Sequence, residues 1–485
     1  MGALIAVVDK ADRDAFATAT AMLDALGHRG SASLGVASCK RVIVRKTLDG
    51  LLGEKLVAAA LVGRVGSTLH PSNETSILHC KHCTFVLEGR LFPPQTGEEA
   101  RFVAAQAATE SGAARFIQEH DGSYAFAANT GKGIVVGRDV VGTRPLYFGE
   151  SETVCAVASE RKALWNIGVT AVSPFLPGTL ALVDKRGFHF ETAKTIRQPP
   201  VRKTSLQNAA SRLEEVLIAS TGDQVTDVKD VAVAFSGGLD SCVIAHSARL
   251  CGARVHLICV SLTGTREADF AEDAADDLGL PLHTAEYPVG KVEDTLANVL
   301  WLIEEPNPLS ASIAMPLFWV AEQAAGLGLH VLLSGHGGDE LFGGYARYLE
   351  DYESSGTAGL KASTYRDVLS SHEVNFARDE KVCAFHKVDL RMPFNCLKVI
   401  ELALSLPVRL NVSSPRDKLR KRVLRQTAKN WGFPESVSEK PKKAIQYATG
   451  VNQALRRLAA KEGLTLREYV EKVFKRAYHE LGEDG

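Results

Sequence analysis

Ser236-Gly237-Gly238-Leu239-Asp240-Ser241 puts two glycines, a carboxylate and two hydroxyls directly after the apolar run Val231-Ala232-Val233-Ala234-Phe235. Glycines let a backbone curl until successive N–H groups converge, and a helix start behind them adds a partial positive charge. Val243-Ile244-Ala245-His246 continues as such a helix. The pattern predicts a buried parallel strand that breaks into a phosphate-binding loop, with the N–H groups of Gly237 and Gly238 and the hydroxyls of Ser236 and Ser241 as donors. Asp240 is then placed for Mg²⁺. No Gly-Lys-[Ser/Thr] follows, so this is not a Walker loop, and it is not Gly-x-Gly-x-x-Gly. Taken alone, the stretch also fits an ordinary strand-to-helix turn.

A second stretch has the same grammar. Val331-Leu332-Leu333-Ser334-Gly335-His336-Gly337-Gly338-Asp339-Glu340-Leu341-Phe342-Gly343-Gly344-Tyr345 is a short apolar strand breaking into glycines around Asp339. Two such loops put two carboxylates at the same end of one parallel sheet, and one Mg²⁺ held by one or two carboxylates against phosphates is ordinary ATP-site chemistry. The first loop resembles the pyrophosphate-binding loop of ATP pyrophosphatases. The pair resembles the synthetase domain of asparagine synthetases and the related β-lactam synthetases. Ile303-Glu304-Glu305-Pro306-Asn307, Asn375-Phe376-Ala377-Arg378-Asp379, Asp389-Leu390-Arg391-Met392-Pro393-Phe394 and Lys440-Pro441-Lys442-Lys443 follow in family order, so the resemblance covers roughly residues 205–455.

The resemblance implies a division of labour. Adenine is expected against Ala234, Val260 and Ser334-Gly335, and the Mg²⁺ between Asp240 and Asp339. A cation must meet the charge that develops on the α-phosphate. Lys442 is expected to supply it, with Lys443 as the alternative. At the third position of the Ser-Gly-x-Gly-x-Asp loop, asparagine synthetases have Glu and β-lactam synthetases Tyr; this chain has His336, a group able to take a proton near neutrality. Packing within the loop is its alternative role, and Glu304 is the next candidate base. Asn395-Cys396 replaces the usual Leu-Asp, in a segment expected to lie in the helical part away from the phosphates.

The elements that must position these groups follow from composition and pattern. The 485 residues are 45% hydrophobic and 23% charged with a net charge of −1, which fits a soluble chain of two or more domains. A nucleic-acid partner is disfavoured because phosphate-backbone binding needs a basic surplus. No apolar run approaches membrane-spanning length and the start reads as a β-strand, not a leader. Nine scattered cysteines fit a reducing cytoplasm rather than a disulfide framework. The polar, proline-bearing segment Arg197–Thr204 separates two halves. The expected domains are 1–200, 205–455 and a charged helical tail, 456–485, that frays on the surface. From residue 205 strands alternate with helix-length amphipathic stretches, which implies a doubly wound parallel sheet with a helical extension.

The first half resembles the Ntn-hydrolase-like glutaminase domain of asparagine synthetases, an α+β architecture of layered sheets with helices. Gly27-His28-Arg29-Gly30, Val62-Gly63-Arg64, Asp121-Gly122-Ser123-Tyr124 and Gly137-Arg138-Asp139 carry the likeness. Its chemistry is missing. The nucleophilic Cys is Gly2, and the Asn-Gly pair that stabilises the oxyanion is Glu88-Gly89, a negative charge where one develops. Arg64, at the position of a glutamine-carboxylate ligand, is left as a surface or structural residue. His79-Cys80-Lys81-His82-Cys83 offers metal-capable side chains without a second pair; zinc and a half-buried strand edge are the two readings.

These observations imply an ATP-dependent, AMP-forming ligase that adenylates a carboxylate, with aspartate expected and ammonia as nitrogen source. A specialised amide- or β-lactam-forming synthetase and a non-catalytic homologue are the alternatives. ATP and Mg²⁺ are the expected cofactors. Small molecules are the expected partners, with a homodimer and a separate glutaminase left open.

Overall fold

The computed structural model describes residues 2–30, 32–66, 77–80, 83–95, 98–440 and 449–483, with side chains to 478. The chain divides into two compact units, Met1–Thr195 and Ile196–Asp484.

In the first unit, a seven-stranded sheet runs in the order Val172–Pro174, Tyr147–Glu150, Val154–Ala158, Gly2–Asp9, Ala60–Gly66, Ser33–Ala37, Val42–Arg45. A six-stranded sheet runs Gly187–Thr192, Thr179–Asp184, Ile134–Arg138, Asp121–Asn129, Thr84–Phe92, Ile77–His79. All strand Gly2–Asp9 is buried, because each of its faces has a cover. Leu4, Ala6 and Val8 join Val86, Ala125, Ala127 and Val136 of the other sheet in one core. Ala3, Ile5 and Val7 face Ala19, Met22 and Leu23 of helix Phe16–Asp24 in another. Helices Glu99–Ala107 and Glu110–Glu119 pack on the six-stranded sheet. The unit thus has the layered sheets with helices that were expected of it.

In the second unit, a five-stranded, wholly parallel sheet runs Leu282–Tyr287, Arg254–Leu262, Asp230–Ala234, Val331–Leu333, Asp389–Arg391. From its first strand, Asp230–Ala234, the chain builds outward on one side, then returns to build on the other. Strand order therefore reverses between Asp230–Ala234 and Val331–Leu333, and a crevice opens at such a point at the carboxyl ends of the strands. The two glycine-rich loops leave these two strands.

The end of the chain adds a docking face that composition did not reveal. It is helical as expected, Val451–Lys461 and Leu466–Glu483, and one face of the last helix is docked. Tyr469, Val470, Val473 and Ala477 are buried, the last helix packs on helix Gly290–Ile303, and Tyr478 Oη donates to the Trp301 carbonyl at 3.0 Å. Its charges occupy one face of an amphipathic helix whose other face is apolar.

Candidate active site

The first loop turns at Gly237, whose φ of +62° is a conformation that side-chain-bearing residues avoid. Gly238 then caps helix Leu239–Leu250, and Ser241 Oγ donates to the Gly238 carbonyl at 3.0 Å. Ala234 closes the strand beside Ile258, and Val260 is buried two residues further along that neighbour. The second loop presses on the first: a Cβ on Gly335 would lie 2.8 Å from that of Asp240. Ser334, buried, donates its N–H to the Arg391 carbonyl. The crevice thus brings together Ala234, Ser236, Gly237, Gly238, Asp240, Ser241, Ser334, Gly335 and Asp339.

The two carboxylates share one cation. Lys421 Nζ lies 2.5 Å from Asp240 Oδ2 and 2.6 Å from Asp339 Oδ1. Burial alone would lower the lysine's pKa, but the two aspartates outweigh it and hold the ammonium charged. Two carboxylates that close on one positive charge are a donor set suited to a hard divalent ion. Arg420 and Lys421 are both left-handed, φ 53° and 50°, a strain of about 1–3 kcal/mol at each residue that the surroundings must maintain. Arg420 Nε donates to the Gly344 carbonyl. Arg425 clamps the segment, donating to the carbonyls of Leu419, Arg420, Ser438 and Lys440. Sequence reasoning missed Lys421, because one lysine in the basic run Arg416–Arg425 carries no spacing signal.

Lys442 and Lys443 lie outside the described residues. Lys440, at the start of that motif, donates from Nζ to the Gly237 carbonyl at 3.2 Å and lies over the Phe270 ring.

His336 is tied at both ring nitrogens. Nε2 is 2.9 Å from Asp379 Oδ2, and Nδ1 shares a 2.5 Å hydrogen bond with Ser334 Oγ. Arg378 holds Asp379 with two parallel bonds, 2.7 and 2.8 Å. Burial pushes the Asp379 carboxyl up, yet Arg378 and then His336 pull it down to about 2. Burial likewise pushes the His336 imidazole down, and Asp379 reverses this, so it titrates above its ordinary value. The side chain is 28% exposed, open to a ligand in the crevice. The Asn375–Asp379 motif was visible in the sequence, but its pairing with His336 was not.

Two other expectations change. Asn395 does not lie away from the phosphate loops: its Nδ2 donates to the His336 carbonyl at 2.8 Å, because the turn after strand Asp389–Arg391 passes beneath the second loop. Glu304 is buried and ion-paired with buried Lys381 at 2.5 Å, and it ends helix Gly290–Ile303 with φ 61°. That is the setting of an anchoring carboxylate rather than of an available base.

In the first unit, Gly2 N donates to Glu88 Oε1 at 3.1 Å and Arg64 Nε lies 3.7 Å from Glu88 Oε2. A Cβ on residue 2 would fall 2.3 Å from the Val65 carbonyl oxygen and 3.0 Å from Glu88 Oε2. Arg64 is buried, so of the two roles left to it the structural one holds. Cys80 N donates to the Cys83 carbonyl at the end of edge strand Ile77–His79. Burial, with Cys80 beside it, pushes the Cys83 thiol up to about 12. Lys81 and His82 lie outside the described residues, and among those described no three His, Cys, Asp or Glu converge as metal ligands.

Comparison with known proteins places the chain in a family. The asparagine synthase family profile matches residues 212–358 and 349–481, and a glutamine amidotransferase domain profile matches 98–176. A Methanocaldococcus jannaschii protein assigned as asparagine synthetase [glutamine-hydrolyzing] 1 is 30% identical over 403 residues, 73% of this chain and 74% of that one. Asparagine synthetase B [glutamine-hydrolyzing] of Escherichia coli is 25% identical, covering 74% of this chain and 66% of its own length. Asparagine synthetase [glutamine-hydrolyzing] 2 of Arabidopsis thaliana is 26% identical, covering 60% and 52%. The chain belongs to the asparagine synthase family. It spans between about half and three quarters of the length of these relatives. Among the described residues, no helix is long and apolar enough to cross a membrane.

Proposed function

We propose that this protein is an ATP-dependent amide-forming ligase that adenylates a carboxylate, with aspartate the expected acid, and then passes the acyl group to ammonia. The observation that carries this reading is the convergence of Asp240 and Asp339, from two glycine-rich loops at the strand-order reversal, on a single cation. The donor set fits Mg²⁺, which when bound would neutralise the leaving pyrophosphate.

This chain's residues do the rest. The N–H groups of Gly237 and Gly238 and the hydroxyls of Ser236 and Ser241 cradle the pyrophosphate. Ala234, Val260 and Ser334-Gly335 receive the adenine. The substrate carboxylate attacks the α-phosphorus, pyrophosphate leaves, and an acyl-adenylate remains. Lys440 beside Gly237 supports the assignment of the late basic motif, with Lys442 as its catalytic cation, to the phosphates. Ammonia then attacks the acyl carbon and AMP leaves. The attacking nitrogen sheds its surplus proton to His336, in the tautomer that Asp379 fixes at Nε2–H, with Nδ1 as the acceptor once Ser334 yields it.

The deciding experiment is AMP and pyrophosphate release by the purified chain across a panel of carboxylic acids, with and without ammonium. Aspartate with ammonium should release both and yield asparagine. Activity with a different acid alone would keep the ligase and replace the substrate; no acid-dependent release at all would end the reading.

A further inference from the structure

We propose that Lys421 is the resident counter-ion of the metal site: it closes Asp240 and Asp339 to a free divalent cation and gives way only when the cation arrives with a nucleoside triphosphate. This rests on the reading of the two carboxylates as metal ligands given above.

The ammonium sits 2.5 and 2.6 Å from one oxygen of each carboxylate, between the two groups that would hold the metal. Its side chain is only 4% exposed. It therefore cannot swing into water when displaced. A divalent ion entering alone would leave a buried, uncompensated ammonium, which is strongly unfavourable. The backbone is built to keep it there. Lys421 is left-handed directly after left-handed Arg420, and Arg425 holds the Leu419 and Arg420 carbonyls before it with its guanidinium and the Lys421 carbonyl with its N–H. Residue 344 is a glycine whose Cβ would lie 2.2 Å from Lys421 Cε and 1.9 Å from Asp339 Oδ1. No other residue leaves the lysine this path.

A triphosphate removes the obstacle. Its oxygens supply new acceptors in the same crevice, so the lysine exchanges carboxylates for phosphates and remains paired. Metal and nucleotide thus bind with positive coupling, and linkage makes the coupling reciprocal. Without nucleotide one ammonium already offsets half the charge of the two carboxylates, so an enzyme waiting for substrate does not hold a free metal between its loops.

Mn²⁺ binding, followed by its electron paramagnetic resonance signal, tests this on the full chain. Wild type should bind Mn²⁺ weakly without nucleotide and at least about tenfold more tightly with ATP, the range of ordinary coupling between sites. Lys421→Met should bind Mn²⁺ without nucleotide at least about tenfold more tightly than wild type. Because two unneutralised carboxylates can destabilise that variant, thermal melts of Lys421→Met and Lys421→Gln with Mn²⁺ alone give a second readout: both midpoints should rise, and that of wild type should not. Equal nucleotide-free affinity in wild type and both variants overturns the proposal, as does tight nucleotide-free binding by wild type. If Asp240→Asn leaves Mn²⁺ binding with ATP intact, the metal-site assignment itself fails, an outcome distinguishable from the first.

Discussion

His336 stands where the resemblance implies a glutamate, and its surroundings show what a histidine there can do. A histidine held between Asp379 and the Ser334 hydroxyl carries its proton above the ordinary imidazole value, so the neutral form able to accept a proton appears later in a pH titration. The ascending limb of the amidation profile is therefore expected above pH 6.5, and Asp379→Asn should move it down. His336→Ala should leave acid-dependent ATP–pyrophosphate exchange largely intact while amide formation falls by roughly 10²–10⁴-fold. His336→Glu should recover part of the loss. Equal loss of exchange and amidation would make His336 a packing residue of the loop. The same shift bears on stability. A raised pKa binds a proton more tightly in the folded state, so the pair stabilises the fold fully below pH 6.5 and loses that contribution as pH rises through the folded value. The stability deficit of His336→Gln should accordingly shrink with rising pH in denaturant melts. Asp240→Asn and Asp339→Asn should each abolish pyrophosphate release, because each removes half of the carboxylate shell; near-normal exchange in either would reassign the metal.

At the scale of elements, the site depends on three segments approaching closely: the two loops and the turn that bears Lys421. Gly344→Ala tests that approach without touching a charged group. Its methyl would collide with Asp339 Oδ1 and Lys421 Cε, and overpacking of this kind costs about 1–3 kcal/mol. A lowered melting temperature with loss of pyrophosphate exchange is expected; an unchanged melt with full exchange would mean that the loops are looser than they look. The sequence revealed the loops because each is local, an apolar run followed by glycines and a carboxylate within ten residues. Lys421, Asp379 and Asn395 were not legible as partners, since each reaches the crevice from a distant segment and pairing across a fold leaves no mark in spacing. The docking face of the last helix was not legible for a related reason. Its charges dominate its composition, whereas Tyr469, Val470, Val473 and Ala477, which dock it, are few and spaced at helical intervals. Asp389-Leu390-Arg391, quoted as a marker of the resemblance, serves the scaffold: Arg391 is ion-paired with Asp389 and Asp227 at the sheet's edge strand.

For the whole molecule the question is where the nitrogen comes from. In the first unit residue 2 is a glycine with no room for a side chain, and Glu88 forms a closed arrangement with Gly2 N and Arg64. Burial would push the Glu88 carboxyl up, yet Arg64 pulls it below its ordinary value. It therefore stays negative at neutral pH, and on the proposed reading that charge opposes glutamine hydrolysis. Glutamine should accordingly yield neither glutamate nor amide product, while ammonium salts support turnover at a rate that climbs with pH as free NH₃ increases. Glu88→Asn removes the charge but not the lack of a nucleophile, so it should remain inactive with glutamine. Glutamate measured in parallel with AMP decides the matter: glutamate formed from glutamine by the purified chain would sink the ammonia-dependent reading, whereas AMP formed only with ammonium would leave the first unit a folded layer without its former chemistry.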